Sequence, residues 1–213
     1  MNKLYQWRIS ARLGRGLLVD WPLTAHNLGM RDMIVILAMV FVTLCGTAAN
    51  ATQDDPRLDA LFERLQTTKD SNDAAAAERQ IWSIWMEAES EDLNILMNQG
   101  AVAMSSQNFD LALESFNALI TLAPEMAEAW NKRATLYFMM QNFEASVADV
   151  QKTLSLEPRH FGAIVGMGLI YERLGDQKAA LRAFEQGLKI NPHMEHIREK
   201  TEKLGQELQD RNI

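Results

Sequence analysis

One cysteine, Cys45, stands in a chain of 213 residues, so no disulfide within the chain can brace the fold. Histidine is also scarce, and no CxxC, P-loop or G-x-S-x-G pattern occurs. The usual frameworks for thiol redox, phosphate-cradling and serine-hydrolase chemistry are therefore missing. His193 and His196 stand near Glu195 and Glu199, but no third ligand of convincing spacing accompanies them, so neither a metal nor a cofactor is expected. Pairs of Asp and Glu are frequent and read as solvated helix surface. No enzymatic activity is expected. Positive charge is short where it would matter for nucleic acid: after residue 51 the chain carries 16 basic against 26 acidic residues. Such a body repels phosphate backbones, which argues against a nucleic-acid partner.

The long apolar run that a membrane helix needs is nearly present but short. Residues 33–49, MIVILAMVFVTLCGTAA, are 17 uncharged residues preceded by basic ones, and Ala49-Asn50-Ala51 ends the run with small residues. A bilayer-spanning helix takes about 20 apolar residues. The length and the A-x-A ending point to a cleaved export signal over residues 33–51, hence an exported, periplasmic protein. If the segment is kept, it becomes an inner-membrane anchor, and only then is a membrane a partner. Leu44 stands where a lipoprotein signal wants a small residue, which argues against lipidation of Cys45. Residues 1–32 show no sustained period and are expected to be a disordered extension, or an incorrectly assigned start with translation beginning at Met30 or Met33.

What the body does have is a repeat. Pro124, Pro158 and Pro192 are 34 residues apart, and other columns share the spacing. Gly100, Ala134 and Gly168 form one; Ala112, Ser146 and Ala180 another; Phe116, Val150 and Phe184 a third. Each unit carries two apolar stripes of helical spacing, split by the polar turns Gln107-Asn108, Gln141-Asn142 and Gly175-Asp176. The small-residue columns let paired helices approach closely, and each proline stops the second helix. Trp130, Ala134 and Tyr137 belong to the packing columns, and Arg133 beside them is expected to make an ion pair or interhelical hydrogen bond. Arg159-His160 falls in a turn and is expected to bond the start of the next helix.

This period and pattern resemble the tetratricopeptide repeat, TPR. The resemblance implies an all-α, TPR-like superhelix with units at 93–126, 127–160 and 161–194. Residues 57–90 would be a degenerate unit capping the amino end, with Trp82 and Trp85 in its core, and residues 195–210 a capping helix with Ile197, Leu204 and Leu208 on one face. It further implies a concave groove lined by the first helix of each unit and used for protein or peptide partners. The expected lining is Asn94, Met97 and Met104, then Glu128, Asn131, Lys132, Thr135 and Phe138, then Val165, Leu169 and Glu172. The Lys, Asn and Arg clamp of chaperone-tail-binding TPR domains is absent, because the matching positions hold Met97, Ala101, Lys132, Gly162 and Gly166. A methionine-rich groove suits an apolar helix or extended segment, unless those residues pack against a neighbouring element of the chain itself. The resulting expectation is an exported, non-enzymatic scaffold that captures a protein segment, or else a membrane-tethered accessory subunit that recruits one to the bilayer.

Overall fold

A computed structural model describes residues 10–13, 17–20, 55–88 and 90–210. The segment expected to be a signal or anchor, and most of the amino-terminal extension, lie outside these residues. Within the extension, β1 (Ser10–Leu13) pairs antiparallel with β2 (Leu17–Asp20), Ser10 opposite Asp20 and Leu13 opposite Leu17. Strands of four residues are too short to show a period, which is why the sequence does not announce them.

Residues 55–210 are all-α, with nine helices among the described residues. α1 (Arg57–Thr67) and α2 (Ser71–Met86) form a pair. Three antiparallel pairs follow: α3 (Glu91–Ser105) with α4 (Phe109–Leu122), α5 (Ala127–Met139) with α6 (Phe143–Leu156), and α7 (Phe161–Arg173) with α8 (Gln177–Ile190). The last helix is α9 (Glu195–Asp210). In these three pairs the second helix also packs on the first helix of the next pair or on α9, so they stack as the 34-residue period requires.

The turns between paired helices repeat to the atom. Gln107, Gln141 and Gly175 take φ of 61°, 59° and 81°. The amide of the next residue donates back to Ala103, Tyr137 or Tyr171, the six-to-one closure of a left-handed helix end. That next residue, Asn108, Asn142 or Asp176, then caps the second helix by accepting from the backbone N–H of Leu111, Ala145 or Ala179. Only the third turn uses glycine, so the first two hold a glutamine in a conformation that disfavours a side chain by about 1–2 kcal/mol. The second helices end at Leu122, Leu156 and Ile190, each two residues before its proline.

Inside the pairs, the columns compensate one another. A Cβ on Gly100 would lie 2.5 Å from Phe116, and one on Gly168 2.5 Å from Phe184. In the middle repeat the same two positions hold Ala134 and Val150, both buried in one cluster. The ring is present where the facing helix has no side chain, and a smaller group where it has a methyl, so close packing is kept in all three. Ser146 adds a hydrogen bond to the Ala134 carbonyl, 2.7 Å. Arg133 bridges helices as expected: its guanidinium meets both carboxylate oxygens of Asp149 at 2.7 and 2.8 Å and donates to Asn117 at 2.7 Å. Trp130 is half-buried, with its indole N–H donating to the Pro124 carbonyl at 2.8 Å and the Arg133 guanidinium over its ring.

Residues 57–90 correct one expectation. They do form a helix pair, but it does not cap the amino end of the stack. Leu58, Leu61, Phe62, Leu65, Ile81, Ile84 and Trp85 are buried in one cluster with Phe161, Ala180 and Phe184 of the third repeat and Met194, Ile197 and Leu204 at the carboxyl end. The first repeat keeps an uncovered edge, where Ile95 is 56% and Val102 67% exposed on α3. The physical reason is that Trp82, Trp85 and Phe62 find a complementary floor on the third repeat. α9 behaves as a capping helix, burying Ile197, Thr201 and Leu204.

Candidate functional site

The concave face of α5 and α7 is where α2 lands. Trp85 is fully buried and stacks on the His160 ring, centroids 4.1 Å apart and planes 10° apart. Trp82 meets His160 and Phe161 edge-on at 5.5 and 5.4 Å. Beneath Trp82 lies Gly162, where a Cβ would come within 2.6 Å of the indole. Glycine here thus serves a close approach of the indole rather than backbone freedom. α1 is fixed beside it: Arg159 pairs with Asp59 at 2.6 Å and lies over the Phe62 ring, and His193 Nε2 donates to the Leu65 carbonyl at 3.0 Å. That bond gives His193 a structural role, and among the described residues no group of three metal-ligating side chains forms.

Under the two indoles sits a buried polar network. His160 caps α7 by accepting from the Ala163 N–H at its Nδ1, 3.1 Å, so the ring proton is on Nε2 and is donated to Glu128 Oε2 at 2.9 Å. Asn131 donates to the same Glu128 oxygen at 2.8 Å. Lys132 Nζ lies 3.0 Å from Glu128 Oε1 without the alignment of a hydrogen bond, and it also faces the Trp82 ring at 5.9 Å. Glu128 and His160 are both fully buried. Burial is the largest influence on the Glu128 carboxyl and opposes its ionisation, but His160 and then Lys132 together outweigh it and hold its pKa below the ordinary glutamate value. The cap role of His160 was legible from sequence; its partnership with Glu128, 32 residues earlier, was not, because no local pattern links the two.

The expected lining residues divide into three groups. Met97 is buried with Phe116, Met126 and Ala129, and Met104 packs half-buried against that cluster, so the methionine-rich surface expected in the first unit is consumed where α3 meets α5. Asn94 is likewise engaged, tying the chain between α2 and α3 through the Ala88 amide and carbonyl at 3.1 and 3.2 Å. Glu128, Asn131 and Lys132 form the polar floor beneath α2. Val165 and Leu169 pack against the cluster that contains α1 and α2, and Glu172 pairs with Lys200 of α9 at 2.9 Å. Beside the docked helix a cleft remains between α5 and α7, lined by Asn131, Thr135, Phe138, Gly166 and Leu169. A Cβ at Gly166 would meet nothing within 4 Å, and Thr135 is exposed.

The sequence profile of the tetratricopeptide repeat matches residues 162–194. A TPR repeat-containing protein of Rhizobium etli is 36% identical over 152 residues, which are 71% of this chain and 74% of that one. Two further curated relatives are matched over only 16% and 17% of their own length. Among solved structures, the Sgt2 TPR domain of Aspergillus fumigatus superposes with a TM-score of 0.54 at 20% identity, covering 59% of this chain and 84% of that one. The first TPR of Spaghetti (RPAP3), solved bound to an HSP90 peptide, gives 0.53 at 19% identity, covering 57% of this chain and 96% of that one. With the stacked helix pairs, their left-handed turns and the relative from Rhizobium etli in agreement, the chain belongs to the tetratricopeptide repeat family.

Proposed function

We propose that this chain is a non-enzymatic scaffold that holds a segment of a partner protein on the concave face of its repeats, at the cleft between α5 and α7. One observation carries the reading: the same face already receives a helix, α2, through side-chain chemistry rather than repeat stacking. Phe138 and Leu169 offer apolar contact in the part left open, Thr135 and Asn131 offer polar groups, and Gly166 leaves room for a backbone to approach. Peptide binding by the structural neighbour solved with an HSP90 peptide supports the class of partner. It does not extend to that peptide's chemistry, because of the five positions where a carboxylate-gripping TPR has its clamp only Lys132 is basic, and it faces Glu128, while Met97, Ala101, Gly162 and Gly166 supply no charge.

The envelope is the proposed location, supported by the apolar run at residues 33–49, its Ala-Asn-Ala ending and a bacterial relative. A membrane-tethered form is the second reading, supported by the same run if it is retained; carbonate extraction separates the two. For the scaffold itself, a photo-crosslinking residue is placed at Thr135 on the concave cleft or at Gln151 on the exposed side of α6. Capture of one partner from Thr135 and not from Gln151 supports the reading. Capture from Gln151 alone moves binding away from the cleft.

A further inference from the structure

We propose that α1–α2 is an exchangeable internal ligand of the concave face, and that the partner it stands in for is an amphipathic helix presenting two aromatic side chains one turn apart. This rests on reading the concave face as the binding face. It adds what the face recognises and how access is controlled.

Four features support exchange over permanent packing. The pair is seated where it leaves α3 bare at Ile95 and Val102, although the end of the stack is where a structural cap would shield apolar surface. Its contact is built from side chains that fit like those of a bound helix, with Trp82 in the space left by Gly162 and Trp85 flat on His160. The floor beneath is charged. The Glu128 carboxylate and the neutral His160 ring are fully buried beneath the pair, with the Lys132 ammonium partly exposed beside them, and undocking rehydrates these polar groups, whereas an apolar floor would gain nothing from release. The fit is also incomplete, because the Trp85 indole N–H is buried with no acceptor among the described residues. A partner indole that finds an acceptor, or whose neighbour supplies one, would displace it.

The connection permits this. Only residues 87–90 separate α2 from α3, held by the Asn94 side chain through Ala88, so the pair can leave the face without leaving the chain. The local concentration of α2 then sets a threshold that a weak competitor does not pass.

The test uses the full chain and a labelled synthetic peptide of the α2 sequence, residues 71–86, with a second peptide in which both tryptophans are alanine. Hydrogen exchange of the unmodified protein is read first. The proposal expects α1 and α2 amides to exchange at least about tenfold faster than the most protected amides of α5 and α7, and to exchange faster still when the native peptide is added. The alanine peptide should bind at least about tenfold more weakly and leave the exchange unchanged. Exchange of α1–α2 only together with the repeats, or equal binding of the two peptides, overturns the proposal. A partner that crosslinks at Thr135 while α1–α2 stays protected would leave the scaffold reading standing and remove this one.

Discussion

The first and third repeats share a register and differ in what their concave faces hold. Where the third repeat has Gly162, the first has Asn94; where the third has Val165, the first has Met97. The first repeat spends these residues internally, Asn94 on the α2–α3 connection and Met97 in the core. The third repeat leaves a hole at Gly162 beside the imidazole face of His160, which caps its first helix from the end of the second repeat, and the chain's own tryptophans fill them. A repeat position thus fixes where a side chain points, while its identity decides whether that point is core, tether or receptor.

Substitutions can break or sharpen this contrast, beginning with the strongest. Glu128→Ala removes the acceptor for His160 and Asn131 and leaves Lys132 beside a buried void, so it should cost about 3–5 kcal/mol and lower the melting temperature sharply. Glu128→Gln should cost less, since the amide oxygen still accepts from His160. The same group sets a pH dependence. Its folded pKa lies below its ordinary value of 4.5, so its contribution is complete above the unfolded value and is lost as pH falls through the folded one. Melting temperatures measured from pH 7 downward should therefore hold until below about pH 4.5 and then drop, with a shallower drop in Glu128→Gln.

Gly168→Ala comes next, at about 1–3 kcal/mol, because the new methyl meets Phe184. Pairing it with Phe184→Val, the combination that the middle repeat already carries, should recover part of that loss; a denaturant-unfolding cycle measures the coupling. Gly100→Ala makes the same clash with Phe116, but Phe184 shares a cluster with α1–α2 and Phe116 does not. Only the third-repeat change should therefore also shift the emission of Trp82 and Trp85, read in a Trp130→Phe background because Trp130 packs on the Phe116 cluster. A smaller effect of opposite sign is expected at the turns. Gln141→Gly relieves a left-handed side chain and should stabilise by about 0.5–1 kcal/mol, whereas the equivalent Gly175 has nothing left to gain. The smallest net change in stability belongs to Gly162→Ala. About 1 kcal/mol of helix propensity gained in α7 offsets the displacement of Trp82, so a red-shifted emission at nearly constant melting temperature is the expected signature.

The repeats were legible because every column recurs three times: the turns at Gln107, Gln141 and Gly175, the prolines, and the small residues Gly100, Ala134 and Gly168 all fall on one period. The position of α1–α2 was not legible, for the same reason. Its contacts occur once, and they link residues as far apart as Asp59 and Arg159 or Leu65 and His193, separations that no period encodes. Moving back 34 residues from the first repeat suggested a cap, but Trp82 and Trp85 answer to Gly162 and His160 instead. The groove residues follow the same division. The helix face was readable, yet which of its residues stay accessible depended on how closely α3 approaches α5 and on where α2 lies.

The most direct measurement is a nuclear Overhauser spectrum of the full chain, recorded for the Trp85 indole. Rings stacked at 4.1 Å require strong cross-peaks between Trp85 and the His160 imidazole, with Trp82 in contact with the Gly162 α-protons. Cross-peaks from Trp85 to Leu93 or Leu96 of α3, with none to His160, would place the pair at the end of the stack and contradict the account.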